Sequence, residues 1–194
     1  MNLQEQLYSV LVVSASESFN DSLSELFPEY RYSYVKFVSG ISIAKRELLE
    51  RNYDFIFVNS PLPDDDGFRF SIDACANASC VVAAFVRGEI YSHVIERMTS
   101  HGVYLIQKPT SKIGVQNRLE WMAATRERLR KLEKRNLSLE EKMKQIRIVN
   151  RAKWILIEQH KMTETEAHKY IEKQAMDRCI SRERVAEEII NTYN

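Results

Sequence analysis

The feature that most constrains this chain is where its helix breakers stop. No proline follows Pro109 and no glycine follows Gly114. Everything beyond is free to be helical, and nothing in it marks a strand or a tight turn. The first 111 residues are different, because short apolar runs alternate there with amphipathic stretches. Val10–Val13, Tyr32–Val38, Asp54–Val58, Cys80–Val86 and Val103–Ile106 read as buried strands. Between them lie helical patterns: one capped by Ser16 and carrying Phe19, Leu23, Leu26 and Phe27; one with Ile43, Leu48 and Leu49; one over Phe68–Cys75; and one over Glu89–Ser100. Five strands separated by helices predict an α/β, doubly wound parallel sheet, since right-handed crossovers place helices on both faces. Ligand chemistry in such sheets collects at the carboxyl edge, here near Ser14, Asn59, Phe85 and Lys108.

Composition narrows the class. With 44% hydrophobic and 28% charged residues, five glycines and four prolines, the chain is neither collagenous nor disordered. Its longest apolar run, Cys80–Val86, is far short of the roughly 20 residues that span a bilayer, so no membrane partner is expected. Met1–Glu5 lacks the basic and apolar regions of a secretory signal. Cys75, Cys80 and Cys179 form neither a CxxC nor an even set, so reduced thiols in a cytoplasmic protein are expected, with no metal site and no cofactor. Charge is unevenly spread: residues 1–111 carry 9 basic and 14 acidic side chains, residues 112–153 carry 13 and 5, and residues 154–194 carry 6 and 8. A basic middle of net +8 is able to follow a polyanion, although a solvated helix face has the same composition.

Heptads run through that middle. With Met122 at position a, Leu129, Asn136, Met143 and Asn150 follow at a, and Thr125, Leu132, Leu139 and Ile146 stand at d. The predicted dimer seam is Leu129, Leu132, Asn136, Leu139, Met143 and Ile146, a coiled coil in which paired Asn136 amides favour a parallel homodimer. An amphipathic helix packed on its own head is the alternative. After Asn150 three helical pieces follow. Arg151–Gln159 ends the long helix with Ile155 and Leu156 inward, Thr163–Glu166 is a capping box, and Ser181 caps a helix striped by Val185, Ala186, Ile189 and Ile190. The expected division is a head over 1–111, a linker helix over 112–141 and a terminal module over 142–194.

Two resemblances give these parts a meaning. The stretch Asn59–Gly67, with Pro63 and Gly67 and then Lys108-Pro109 after strand five, resembles the receiver domain of bacterial response regulators. The resemblance implies a phospho-accepting aspartate where this chain has Asn59, and an amide nitrogen is no phosphoryl nucleophile. The acidic pair expected after strand one is Ser14 and Ala15, with Glu17 displaced, and the hydroxyl position after strand four is Phe85. Lys108 alone remains of the charged site, expected to pair with a backbone carbonyl or with Asp64. Asp64–Asp66 are expected to be a solvated turn. The head therefore reads as a pseudo-receiver, with dimerisation, solubility or the binding of a ligand or regulatory protein as its remaining roles.

The segments Arg151–Glu158, Met162–Ile171 and Gln174–Arg178 resemble the ANTAR domain, an RNA-binding three-helix module of transcription antitermination regulators. That resemblance implies a dimer acting on leader-transcript hairpins. The residues expected to contact RNA are Arg147, Arg151, Lys153, Lys169, Lys173 and Arg182 on phosphates, with His168 or Tyr170 stacking on a base. Trp154 is expected to pack. No nucleophile–base pair, Gly-rich phosphate loop or metal-ligand cluster supports an enzyme. The rival readings are a DNA-binding regulator presenting a recognition helix, and a protein-interaction scaffold that binds no nucleic acid.

Overall fold

The computed structural model describes residues 7–77 and 79–193. Its elements follow the predicted order: β1 (Tyr8–Val13), α1 (Glu17–Ser24), β2 (Tyr32–Val38), α2 (Ile41–Glu50), β3 (Phe55–Asn59), α3 (Phe68–Asn77), β4 (Val81–Arg87), α4 (Gly88–Ser100), β5 (Tyr104–Lys108), α5 (Lys112–His160), α6 (Glu164–Asp177) and α7 (Arg182–Tyr193). The chain forms two compact units, one ending at Arg130 and one beginning at Lys131.

In the first unit five parallel strands lie in the order β2-β1-β3-β4-β5. Alternate residues of each strand point to opposite faces, so the sheet divides its apolar side chains between two layers. Leu11, Val13, Ile56, Val58, Val82 and Ala84 face Ile41, Ala44, Phe70, Ala74 and Met98 of α2, α3 and α4. Val10, Val12, Phe55, Phe57, Val81 and Phe85 face Leu23 of α1 and Val115, Leu119, Met122 and Ala123 of α5. Strands β4 and β5 run further than the apolar runs predict. Their ladder continues through Val86–Gln107 and Arg87–Lys108, because backbone pairing is indifferent to polar side chains at a sheet's end.

Local chemistry sets the helix starts. Ser16 Oγ accepts from the Phe19 amide at 3.4 Å and caps α1 as expected. Gly40, which precedes α2, offers no side chain; the Asp64 carboxylate caps that helix from across the turn, accepting from the amides of Ile41 (3.1 Å) and Ser42 (3.2 Å). A Cβ on Gly40 would stand 2.8 Å from Asp64 Oδ2, so the glycine makes room for its substitute cap. These two amides hold the Asp64 carboxyl below the usual range. Asp65 and Asp66 accept from the amides of Gly67 and Phe68. The acidic run is the expected solvent-exposed turn, and its carboxylates also supply a helix cap and turn bonds.

Helix α5 corrects the heptad reading at its start. Met122, the residue from which the repeat was counted, is fully buried under the sheet, and Leu129 packs against the same layer. Thr125 exchanges a 2.7 Å hydrogen bond with the Tyr104 hydroxyl. Val115, Leu119, Met122 and Ala123 sit at i, i+4, i+7 and i+8, the ordinary core stripe of a helix laid on a sheet. The exposed apolar row begins at Leu132 and continues through Leu139, Met143 and Ile146, with Asn136 exposed among them.

An ionic node ties this helix to the amino edge of the sheet. Asp54 is 9% exposed. Its Oδ2 accepts from the Ser9 amide at 2.9 Å, and its Oδ1 accepts from Arg126 Nε at 2.9 Å and from an Arg130 guanidinium nitrogen at 2.7 Å. Arg130 also reaches Glu127 at 2.7 Å and lies 5.1 Å from the Tyr8 ring centroid. Burial alone would raise the Asp54 pKa, but the Ser9 amide and the two guanidinium groups outweigh it and hold the carboxyl below its ordinary value.

In the second unit Ala152 and Leu156 of α5, Ala167, Ile171 and Ala175 of α6, and Val185 and Ala186 of α7 close a small core. Thr163 and Glu166 form the predicted capping box, and Ser181 Oγ accepts from the Arg184 amide at 3.3 Å. Ala152 rather than Ile155 partners Leu156 inward, since residues four apart share a helix face and neighbours do not.

Removing the Asp54 carboxylate takes a buried counter-charge from two largely covered guanidinium groups. Asp54→Ala is therefore expected to cost about 3 kcal/mol in chemical denaturation. A folded-state pKa below the unfolded one also fixes the pH window. The stability gap between the wild type and Asp54→Asn is full above about pH 5 and closes as pH falls through the folded pKa. A gap that stays constant down to acid unfolding contradicts this.

Candidate functional site

At the carboxyl edge of the sheet the predicted residues do come together. Ser14, at the end of β1, and Asn59, the last residue of β3, are both buried, and Asn59 Nδ2 donates to Ser14 Oγ at 3.0 Å. Lys108, the last residue of β5, donates from Nζ to Asn59 Oδ1 and to the Ser60 carbonyl, each at 2.7 Å. Asp64 takes no part, because its oxygens are committed to α2; of the two predicted partners of Lys108, the backbone carbonyl is the one observed. Ala15 is exposed and adds no polar atom to the cluster. Phe85 is buried at the end of β4, its ring edge-on to Phe19 with centroids 4.9 Å apart.

The electrostatics of this cluster are unusual for a site built around a lysine. Burial, and then the Arg87 charge, push the Lys108 pKa below its ordinary value. No carboxylate lies within ion-pair distance of Lys108 among the described residues. Among those residues there is also no group of three or more His, Cys, Asp or Glu side chains able to hold a metal ion. The thiols take no part either: Cys80 is buried in the core, which pushes its pKa up to about 12.

In the second unit the predicted cations gather in two places. Lys153, His168 and Arg182 line a cleft of about 340 Å³ together with Lys142, Asn150 and Glu183. Lys169, Tyr170 and Lys173 line a concavity of about 500 Å³ beside His160 and Lys161. Arg147 and Arg151 belong to neither and are exposed on α5. Several of these charges are partnered within the unit. Lys153 pairs with Glu164 at 2.9 Å and keeps only 14% of its side chain exposed, while Arg182 and His168 both approach Glu172, at 3.1 and 3.3 Å.

Trp154 is 64% exposed, which corrects the expectation that it packs. It lies two residues from both Ala152 and Leu156, about 200° around the helix from the buried face. Residues Arg147, Arg151 and Trp154 instead share one outward stripe at i, i+4 and i+7. Sequence reasoning missed Lys142, Asn150, His160 and Lys161. Lys142 and Asn150 are signalled by the cleft spacing along α5 and not by any motif. Lys161 ends α5 in the left-handed region (φ 55°), which nothing in its residue type announces.

A receiver-type sheet followed by a three-helix terminal module defines the class, and comparison with known proteins agrees in both halves. Residues 137–190 match the ANTAR domain. The transcriptional regulatory protein PdtaR of Mycobacterium tuberculosis, in strains CDC 1551 / Oshkosh and ATCC 25618 / H37Rv, is 30% identical over 189 residues, covering 94% of this chain and 89% of that protein. The signal receiver domain of an HD domain-containing protein from Pseudomonas fluorescens Pf-5 superimposes with a TM-score of 0.57 at 19% identity, over 70% of this chain and 97% of that one. A two component transcriptional regulator AraC from Clostridium phytofermentans ISDg gives 0.58 at 12% identity, over 64% and 98%. At such identities the solved structures speak for the fold alone. The chain belongs to the ANTAR-domain transcriptional regulators that carry a receiver-fold head. No helix among the described residues is long and apolar enough to cross a membrane.

The ANTAR helices are held by a small core, so a single deletion in it is expected to be costly. Ile171 is 1% exposed, and Ile171→Ala should lower the stability of the terminal unit by about 3 kcal/mol. Hydrogen exchange followed by mass spectrometry should show faster exchange in α6 and α7 with the sheet unchanged. Equal protection of α6 in both proteins contradicts the packing described.

Proposed function

We propose that the protein is a homodimeric, RNA-binding transcription antitermination regulator that acts on hairpins of leader transcripts, with a head that does not use aspartate phosphorylation. The observation that carries the reading is the gathering of basic and aromatic side chains within the segment that matches the ANTAR domain: Lys153, His168 and Arg182 at one cleft, Lys169, Tyr170 and Lys173 at another, and Arg147 and Arg151 on α5.

The physics favours loops as the target. An A-form duplex hides its base edges in a deep narrow groove, whereas loop bases are unstacked and open to Tyr170 or His168. Arg147, Arg151, Lys153, Lys169, Lys173 and Arg182 then hold phosphates, which sets position rather than sequence. The exposed row Leu132, Leu139, Met143 and Ile146, with Asn136 at an a position, supports a dimer, since an apolar stripe of that length is unfavourable in water and two such stripes cover each other. Two modules joined in this way raise the local concentration of the second at paired hairpins. In this reading the head occupies residues 1–111 with the first turns of α5, the stalk continues through residue 141, and the RNA-binding end covers 142–194. The head is open to a regulatory protein, and its Asn59 amide, held at both ends by Ser14 and Lys108, takes no phosphoryl group.

Gel-shift titrations with a two-hairpin RNA and a duplex DNA at matched salt test the reading. Binding to the RNA is expected, weakened by about tenfold or more in Arg147→Glu with Arg151→Glu, with a shallower salt dependence. Duplex binding without hairpin binding would establish the DNA-binding alternative, and binding to neither would leave a scaffold. Incubation with acetyl phosphate is expected to give no phosphoryl mass increment on the intact chain. A labile adduct on any carboxylate of the head overturns that part.

A further inference from the structure

Beside the Asn59 cluster, α1 and the start of α5 enclose a groove of about 540 Å³ at the carboxyl edge of the sheet. That is the edge where open α/β sheets take their ligands, and the volume lies in the range of small-molecule pockets. Its floor is apolar, formed by Phe19, Leu23, Leu26, Phe85 and Val115. Its rim is polar, with the hydroxyls of Ser18, Ser22 and Thr110 and the ammonium groups of Lys108 and Lys112.

The two lysines differ in a way that matters. Lys112 is neutralised by Glu25 at 2.7 Å. Lys108 is half-buried, and its partners are an amide oxygen and a backbone carbonyl, both uncharged. An ammonium has three N–H donors and these two bonds use two of them. One donor and a full positive charge therefore remain unmatched by protein groups among the described residues. A partly desolvated cation without a counter-charge favours an entering anion far more than an exposed one does. An inorganic anion alone would leave the partly exposed Phe19 ring in contact with water, so the complementary ligand carries an apolar body as well.

We propose that this groove binds a small amphipathic organic acid, its carboxylate on Lys108 and its apolar body against Phe19. The site is a non-covalent acid receptor beside Asn59, sharing Lys108 with that cluster. The proposal rests on the head's geometry and is independent of what the terminal module binds.

Isothermal titration of the full chain with benzoate and octanoate tests it, with benzamide, octanamide and inorganic phosphate as comparisons. Both carboxylates are expected to bind at about 1 mM or tighter, and the amides and phosphate about tenfold or more weakly. Lys108→Gln, which removes the charge, and Ser22→Trp, which fills the mouth from an exposed helix position, are each expected to weaken carboxylate binding by about tenfold or more. Cooperative melting of Ser22→Trp keeps the test valid if Lys108→Gln fails to fold. Absence of binding by both carboxylates at about 10 mM overturns the proposal. So does equal binding of the amides or of phosphate, or undiminished binding by a folded variant.

Discussion

The buried carboxylate of Asp54 is the constraint on which the head depends. It stands just before β3, takes the Ser9 amide at the start of β1, and gathers Arg126 and Arg130 from α5. One side chain thereby fixes two neighbouring strands and the direction of a helix that belongs to no crossover. With α5 held there, Val115, Leu119, Met122 and Ala123 lie under the sheet, and the same placement makes α5 one wall of the groove beside Lys108. Such a node is costly to bury and stable only when every charge in it is matched, as Asp54, Glu127, Arg126 and Arg130 are.

The carboxyl edge follows the opposite logic. Where the receiver resemblance implies carboxylates, this chain places Ser14, Ala15 and Asn59, and where it implies a hydroxyl, Phe85, which packs edge-on against Phe19. The amide of Asn59 both donates and accepts, which lets it bridge Ser14 and Lys108 without any ion between them. The result is a closed polar bridge with an unmatched charge at one end. The terminal unit is built differently again, since Lys153, Arg182 and Arg178 already meet Glu164, Glu172 and Glu188. A polyanion that binds there competes with the protein's own carboxylates, so its affinity depends on salt through both partners.

Much of the fold was legible because period 2 and period 3.6 leave different marks on a sequence. All five strands and the helices between them were readable from apolar spacing, and Ser16, Ser181 and the Thr163–Glu166 box marked their helix starts through residue type alone. The failures have a common cause. Periodicity says which residues share a face and not what covers that face, so Leu129 falls in the predicted dimer seam, and Met122 in the heptad register, while the sheet covers both in the fold. Trp154 illustrates the same limit from the other side: its size argued for burial, while Ala152 and Leu156 had already fixed the inward direction. Lys108 and Asn59 were findable through the motif around them. The Asp54 node and the Asp64 cap were not, because each joins residues far apart in sequence whose types are common on any surface.

In the proposed function two copies of this chain, joined along α5, present their ANTAR helices to paired RNA loops. Native mass spectrometry of the full chain with a transcript bearing two hairpins addresses it directly. The expected species is one RNA with two protein chains, lost when either loop is closed into continuous duplex. A complex with a single chain, or one indifferent to the loops, would contradict it.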